Sequence, residues 1–299
     1  MDTVIIDGVT LYLAHPDELN IPLYNKEDII EQILACWLVL DEKDIPLTPR
    51  LVGKPGVGKT TLAYAAAKRL NKEVYIFQAT VDTRPEDLII TPVISEDKKI
   101  RYVASPIVTA MIKGGVAIID EANRMSEKSW ASLAPLLDAR RYVESIIAGI
   151  KIKAHPDFRL CVTMNEDAST FELPEYIQSR LQPQIFIDFP SYEEEKAILK
   201  TNLPWLEEGL LDYIVKFLQI THEYGEPYSI RDGVSIGRYV LKKLAFLKNN
   251  SSNTSKEPLD LLKEAISLIL GQQALVYFKE FIENKGKSKA GKPLLYPLD

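Results

Sequence analysis

Residues 50–60 read Arg50-Leu-Val-Gly-Lys-Pro-Gly-Val-Gly-Lys-Thr60, and this stretch decides which fold to expect. Its last eight residues match the pattern G-x-x-x-x-G-K-[ST], in which glycines let backbone N–H groups wrap a polyphosphate. A strand is predicted before the loop and an Ala-rich helix after it. The positive N-terminus of such a helix favours phosphate. The stretch therefore predicts a binding site for a nucleoside triphosphate.

The residues of this loop have separate predicted roles. Lys59 is expected to reach the β- and γ-phosphates, and Thr60 is expected to ligate Mg²⁺. The nucleotide-binding residues are predicted to be Gly53, Lys54, Pro55, Gly56, Val57, Gly58, Lys59, Thr60 and Thr61. The alternative is an ordinary glycine-rich turn, and the flanking strand and helix disfavour it.

Two acids end the continuous apolar run at 116–119. A buried strand does not end in paired carboxylates without cost, and such a pair suits a Mg²⁺ site. Asp120 is predicted to hold the metal through water, and Glu121 to polarise the water that attacks the γ-phosphate. The alternative is that the pair merely begins a surface loop.

Three more polar side chains are candidates for the same chemistry. Asn165 ends the next apolar run, 160–164, where an amide could orient the attacking water or contact the γ-phosphate. Arg180, near the end of a short predicted helix, is a candidate arginine finger that reaches a neighbouring subunit's ATP. Arg231 opens a later helix, where the helix dipole disfavours a cation, so a contact with the γ-phosphate is favoured. Their alternatives are a polar residue that begins a loop, a surface arginine and a first-turn arginine.

Strands and helices alternate from about residue 47 to 190, which predicts an α/β fold with a parallel sheet wrapped by helices. The predicted strands are 49–52, 74–78, 116–119, 159–164 and 184–189, and the predicted helices are 26–40, 59–70, 107–113, 126–139 and 174–181. Before them, Asp7-Gly8 predicts a hairpin turn between short strands. After Pro190 only helices are predicted, at 191–201, 207–222, 231–248 and 259–283. The expected domains are an N-terminal strand pair and extension (1–25), a core (26–190), a helical lid (191–284) and a Lys-rich tail (285–299).

The composition is that of an ordinary globular protein. The chain has 299 residues, 46% hydrophobic and 26% charged, with a net charge of −6 that gives no general attraction to nucleic acid. Cys36 and Cys161 lie in apolar runs and are expected to be buried, reduced thiols, and the three histidines suggest no zinc site. No apolar run approaches the roughly 20 residues needed to span a bilayer, and no signal peptide is visible. A soluble cytoplasmic protein without a membrane partner is expected.

Five motifs in this order resemble those of the AAA+ ATPases, and within them the group of MoxR, CbbQ, NorQ and midasin-type proteins. They are GKPGVGKT at 53–60 (Walker A), VAIIDEANR at 116–124 (Walker B), VTMN at 162–165 (sensor 1), LPEYIQSR at 173–180 (arginine finger) and YSIR at 228–231 (sensor 2). The resemblance covers about residues 20 to 285. Ser105 and Ser179 stand where MoxR sequences usually have Gly and Asp, so the branch is left open.

The resemblance implies a P-loop NTPase core followed by an all-helical AAA+ lid, with ATP and Mg²⁺ bound and a homo-oligomeric ring, commonly a hexamer. Two segments are similar to insertions of that group: 82–105, in helix 2, and 141–157, a hairpin before sensor 1. In the family both face the central pore or the partner. The family's partners often contain a metal-binding von Willebrand A domain.

Four functions remain as hypotheses. The leading one is an ATP-hydrolysing chaperone or activator that remodels a partner protein. The alternative is a nucleic-acid-associated motor or loader, which the acidic charge disfavours and the Lys-rich tail with Lys98-Lys99 slightly favours. A small-molecule kinase would not need Asn165, Arg180 and a helical lid together. A non-hydrolysing nucleotide switch would not need Glu121.

Overall fold

The computed structural model describes residues 2–19, 26–96, 98–166, 172–249 and 257–278. The chain forms two compact units, Met1–Asp188 and Phe189–Asp299. The predicted boundary between core and lid, after residue 190, lies two residues further along. The predicted extension at 20–25, the end of the lid from 279 and the Lys-rich tail lie outside the described residues.

A five-stranded parallel sheet forms the centre of the first unit, in the order β11-β3-β10-β7-β4. Its strands are β3 (Arg50–Gly53), β4 (Val74–Gln78), β7 (Val116–Asp120), β10 (Arg159–Asn165) and β11 (Gln184–Phe186). All seven residues of β10 are buried, as are the first four of β7. The parallel pairing of these strands confirms the predicted sheet. Their sequences are largely apolar because strands of a parallel sheet are covered on both faces.

The described residues of the first unit also form six helices: α1 (Glu27–Trp37), α2 (Lys59–Arg69), α3 (Pro85–Leu88), α4 (Pro106–Lys113), α5 (Glu127–Leu133) and α6 (Glu175–Gln178). The predicted end of α4 is correct, since Gly114 adopts the left-handed conformation that ends a helix. Three predicted extents are wrong. The helix predicted at 26–40 ends at Trp37, because Leu38 is extended. The helix predicted at 126–139 ends at Leu133, because Pro135 has no N–H to continue the helical hydrogen bonds. The helix predicted at 174–181 is the single turn of α6.

A second, four-stranded sheet of the first unit joins two hairpins that are far apart in sequence. The predicted N-terminal hairpin is β1 (Thr3–Ile6) with β2 (Val9–Tyr12), and Asp7 and Gly8 turn at positive φ. The segment 82–105 supplies α3 and a second hairpin, β5 (Ile90–Ile94) with β6 (Ile100–Ala104). Strand β6 pairs in parallel with β2, so the N-terminal strands and this insertion form one sheet.

The insertion at 141–157 forms the antiparallel hairpin that its alternating pattern indicates. Strands β8 (Tyr142–Ser145) and β9 (Ile150–Lys153) pair directly, and Gly149 takes a positive φ in the turn. Val143, Ile150 and Ile152 are buried in the core of the first unit, while Glu144 and Lys151 on the opposite face are exposed.

The described part of the second unit is helical, with α7 (Tyr192–Asn202), α8 (Glu208–Glu223), α9 (Ile230–Asn249) and α10 (Pro258–Leu270). The predicted capping box at the start of α7 is present, since Ser191 N–H donates to Glu194 Oε2 at 2.7 Å and the Ser191 hydroxyl accepts from Glu194 N–H. The single helix predicted at 259–283 is wrong. Gly271, at φ +91°, ends α10, and a 3₁₀ turn at Gln272–Ala274 follows.

Both cysteines are buried free thiols, as predicted, and burial raises the pKa of each. Thiols of this kind are unreactive because the nucleophilic thiolate is disfavoured. Over the described ranges, no helix combines the length and the apolar character that crossing a bilayer requires.

Candidate nucleotide site

The glycine-rich loop leaves the carboxyl end of β3 and leads directly into α2. Gly56 and Gly58 have φ of +81° and +93°, which only glycine adopts readily, and Gly58 immediately precedes the helix. The Lys59 side chain is folded into the loop, where Nζ donates to the carbonyl oxygens of Gly53 at 2.9 Å and Lys54 at 2.8 Å. The predicted nucleotide-binding residues 53–61 are thus continuous with a tight turn at a helix N-terminus, an arrangement suited to phosphate.

The first glycine of the loop is required for a reason that the sequence did not reveal. A Cβ on Gly53 would lie 2.2 Å from the carbonyl oxygen of Ile187, a backbone atom that cannot rotate away. Ile187 N–H in turn donates to the Val52 carbonyl oxygen at 2.8 Å. Gly53 therefore lets the chain after β11 pack against the end of β3.

Gly53→Ala is expected to lower the free energy of unfolding by about 1–3 kcal/mol, the usual cost of forcing an extra carbon into a packed site. The measurement is urea denaturation followed by circular dichroism. The matched control is Gly209→Ala in the exposed first turn of α8, where a Cβ meets nothing within 4 Å. An unchanged midpoint for Gly53→Ala would contradict the packing role.

Asp120, at the end of β7, lies beside the first turn of α2. Its Oδ1 accepts a hydrogen bond of 2.6 Å from the Thr60 hydroxyl, and the Thr163 hydroxyl donates to the same oxygen. The predicted pair of metal ligands, Thr60 and Asp120, is therefore brought together across 60 residues of sequence. Hydroxyl and carboxylate oxygens are ligands that Mg²⁺ prefers.

Glu121 follows Asp120 in the left-handed conformation, with φ of +53°. A non-glycine residue held there is uncommon, and such positions cluster at functional sites. The Glu121 N–H donates to the Thr163 hydroxyl at 3.1 Å. The two carboxylate oxygens contact different partners: Oε1 accepts from Asn165 Nδ2 at 3.2 Å, and Oε2 lies 2.6 Å from Arg124 Nε. The turn thus holds the carboxylate between an amide and a guanidinium.

The sheet register explains why Asn165 contacts Glu121. Strand β10 lies between β3 and β7, and Asn165 is paired with Gly53 of the loop. The carboxyl ends of neighbouring parallel strands meet at one edge of the sheet, where α/β proteins bind their ligands. Two of the predicted catalytic groups, Glu121 and Asn165, therefore lie together beside the loop.

Three further residues of this edge were not predicted. Thr163 bonds both to Asp120 and to Glu121 N–H, and Asn123 Nδ2 donates to the Asn165 carbonyl oxygen at 2.8 Å. Arg124 pairs with Glu121 through the 3₁₀ turn at Ala122–Arg124. A signal existed for Thr163, because residues two apart on a strand share a face, which places Thr163 on the face of Asn165.

The donor set fits a magnesium ion. In the part of the chain that the structure describes, no group of three or more His, Cys, Asp or Glu side chains is placed to share a metal. Mg²⁺ is usually bound by one or two carboxylates together with water and substrate phosphates, rather than by a cage of protein ligands. Thr60 and Asp120 are the residues that would hold it.

The two predicted arginines belong to different units of the chain. Arg180 follows α6 and contacts neither Asp120 nor Glu121 among the contacts of the described residues. Its Nη1 donates to the Tyr176 carbonyl oxygen at 2.8 Å, and its Nη2 lies 3.5 Å from Asp138 Oδ2. Arg231 is exposed in the first turn of α9, in the second unit. Within the first unit, the structure therefore groups the loop, the acids and Asn165, and it does not group Arg180 with them.

Residues 50–181 match the family model described as AAA domain (dynein-related subfamily). The matched segment begins with β3 and ends just after Arg180, so it contains the loop, both acids and Asn165. The geometry of the site and the family model thus concern the same part of the chain.

Two curated proteins are similar to part of this chain. An uncharacterized protein of Staphylococcus epidermidis is 28% identical over 172 residues, and one of Staphylococcus haemolyticus is 27% identical; each match covers 56% of this chain and 65% of the relative. The chain thus matches slightly less than two thirds of these relatives' length.

Among solved structures, the RuvB Holliday junction branch migration motor of Thermotoga maritima matches with a TM-score of 0.52 at 18% identity, over 82% of this chain and 70% of that one. A point mutant of the same RuvB gives 0.55 at 20% identity, over 83% and 70%. Likeness at this identity shows the fold. The chain therefore has an α/β P-loop NTPase fold, and its residues 50–181 are similar to the AAA domain of the dynein-related subfamily.

Proposed function

We propose that this chain hydrolyses ATP with Mg²⁺ and uses the reaction, as an oligomeric ring in the cytoplasm, to remodel or mature a partner protein. The observation that carries the proposal is the meeting of Lys59, Thr60, Asp120, Glu121 and Asn165 at one edge of the sheet. This set contains a cation for phosphate, oxygen ligands for magnesium and a carboxylate to activate water. Those are the parts that phosphoryl transfer to water needs.

Each residue of the set has one proposed task. Lys59 and the loop backbone bind the phosphates, and Thr60 and Asp120 hold the magnesium ion, which neutralises charge on the phosphates when it is bound. Glu121 accepts a proton from the attacking water, because a carboxylate beside the γ-phosphate can act as general base. Asn165, 3.2 Å from Glu121 Oε1, fixes the orientation of that carboxylate.

The position of Arg180 supports the proposed ring. Its side chain is 30% exposed and contacts Asp138 and Tyr176 rather than the acids of its own subunit. We propose that Arg180 serves the ATP of a neighbouring subunit, and that Arg231 contacts the γ-phosphate from the helical lid. A ring, commonly a hexamer, supplies such neighbours, and the resemblance to the MoxR, CbbQ and NorQ group supports it.

The partner is proposed to be a protein because of the β8–β9 hairpin. Its tip presents Ile146, 94% exposed, and Ile147, 47% exposed. Large apolar side chains on a protruding turn are suited to contact with another protein. The resemblance suggests a von Willebrand A domain as that partner.

A nucleic-acid motor is the second candidate, and one observation favours it. On the exposed face of the same hairpin, Lys151 Nζ lies 4.5 Å from the centre of the Tyr142 ring, and Lys153 is paired with Tyr142 across the strands. Aromatic rings between cations can stack on bases and bind backbone phosphates. DNA-stimulated ATP turnover that weakens steeply with salt would favour this candidate over a protein partner.

The nucleotide site is tested by Lys59→Ala. Hydrogen bonds to charged groups contribute about 1.5–3 kcal/mol each, so loss of the ammonium is expected to weaken ATP binding by about 10²-fold. The measurement is a fluorescence titration with a labelled ATP analogue. Lys68→Ala, exposed in the last turn of the same helix, is the matched control and keeps its affinity. Equal affinity of both variants would contradict the proposed site.

A further inference from the structure

Two arginines meet at the carboxylate of Asp138, in the turn between α5 and β8. The shortest hydrogen bonds from Arg140 to this carboxylate are Nη2 to Oδ2 at 2.7 Å and Nε to Oδ1 at 2.9 Å, and the Arg140 backbone N–H also donates to Oδ1. Arg180 approaches the same carboxylate from α6, with Nη2 3.5 Å from Oδ2. The two segments are about 40 residues apart, so the fold brings this acid and the proposed finger together.

The carboxylate keeps its charge throughout the physiological pH range. The hydrogen bonds from Arg140 are the largest cause, and the charge of Arg180 adds to them; together they lower the pKa of Asp138 to about 2. The Asp138 side chain is 23% exposed, so solvent screens this pair only in part.

The contacts of Arg180 orient its guanidinium but engage only some of its N–H donors. A guanidinium has five N–H donors. Nη1 donates to the Tyr176 carbonyl oxygen at 2.8 Å, the guanidinium carbon lies 5.8 Å from the centre of the Tyr176 ring, and Nη2 faces Asp138. At 3.5 Å the last contact is an ion pair rather than a tight hydrogen bond, because Arg140 takes the shorter distances. Arg180 is thus ordered but able to exchange its anionic partner.

We propose that Asp138 is a positioning residue. It holds the Arg180 guanidinium in the orientation in which that group can contact the γ-phosphate bound by a neighbouring subunit. The inference rests on the proposed role of Arg180 as a finger. An arginine side chain loses rotamer entropy when it is fixed. Because the ion pair with Asp138 forms before the phosphate is bound, part of this entropy cost does not have to be met during the reaction. A guanidinium misplaced by about 1 Å can slow turnover by up to 10²-fold.

The test is Asp138→Asn in the full-length protein. Asparagine retains the side-chain oxygen that accepts from Arg140 N–H at 3.0 Å, so the turn is kept while the charge is lost. The expected result is a fall of about tenfold in kcat, an intermediate loss of positioning, with the KM for ATP and ATP binding unchanged. A larger KM with unchanged kcat would overturn the proposal.

Two controls separate positioning from other effects of the charge. Arg140→Ala breaks the tight pair but leaves Asp138 beside Arg180, so kcat is expected to stay within about twofold, well inside the effect of a lost positioning contact. A loss as large as that of Asp138→Asn would mean that the carboxylate acts through Arg140, contrary to the proposal. Asp157→Asn removes a different acid of the first unit, whose side chain is 64% exposed, and is expected to leave kcat unchanged.

Rings assembled from two different variants test the role of Asp138 separately from the proposed finger role of Arg180. Asp138→Asn subunits retain Glu121, and Glu121→Gln subunits retain Asp138 and Arg180. If Asp138 acts across the interface, a mixture of the two turns over faster than the average of the separate proteins. A mixture that merely matches the average overturns the inference. If Arg180→Ala mixed with Glu121→Gln also gives only the average, the proposed finger itself fails.

Discussion

Arg180→Ala is expected to slow ATP turnover by about 10³–10⁵-fold, the range that an arginine finger contributes. In the proposed role, the guanidinium stabilises charge that develops on the phosphate in the transition state, so its loss is expected to act on kcat. ATP binding is expected to remain nearly intact, since Arg180 contacts Asp138 and Tyr176 and not the loop of its own subunit. Steady-state phosphate release measures kcat, and a nucleotide titration measures binding.

The control for this prediction is Arg69→Ala at the end of α2. Arg69 is 43% exposed and forms a surface pair with Glu27 at 2.6 Å, which contributes little to stability. Its loss is expected to change neither turnover nor binding. If Arg180→Ala instead abolishes binding, or if a dilute monomer turns over as fast as the assembled protein, Arg180 does not act in trans.

Glu121→Gln is expected to bind ATP and to turn it over about 10²–10⁴-fold more slowly, the contribution of a positioned general base. The amide keeps the size of the side chain and an oxygen for the contact with Asn165 Nδ2, but it cannot accept a proton from water. Single-turnover hydrolysis separates the chemical step from product release. Normal turnover in this variant would remove Glu121 as the catalytic group.

The matched control is Glu127→Gln, an exposed acid in the first turn of α5 that lies outside the site. It loses the same charge and is expected to keep full turnover. Because the slow Glu121→Gln variant is expected to persist in its ATP-bound state, it is also the form in which to measure the size of the assembly. Size-exclusion chromatography with light scattering, with and without ATP, gives that size, and a monomer under both conditions would contradict the ring.

Most of the central fold can be predicted from short, continuous stretches of the sequence. The loop at 53–60 needs its glycines, lysine and threonine in one continuous stretch, and β7 and β10 are covered on both faces, so their residues are apolar without interruption. Helix ends were less predictable. Pro135 and Gly271 end helices that the apolar pattern alone would continue.

The contacts across the site depend on which strands become neighbours. The sequence indicated that Asp120, Glu121 and Asn165 each follow a buried strand, but not that β10 separates β3 from β7. That order decides that Thr163 bonds to Asp120 and that Asn165 reaches Glu121. The contact of Arg124 with Glu121 could not be predicted for a different reason. It requires a 3₁₀ turn that begins after a residue in the left-handed conformation.

The glycine-rich loop, the acid pair, the parallel sheet and the helices of the second unit can be predicted from the sequence. Each of them arises from residues that are adjacent in the chain or that repeat with the period of a helix or strand. The pairing of β2 with β6 and the contact of Asp138 with Arg180 depend instead on tertiary packing. Pairings of this kind join segments tens of residues apart. Their partners are selected by packing and strand order, which no local pattern encodes.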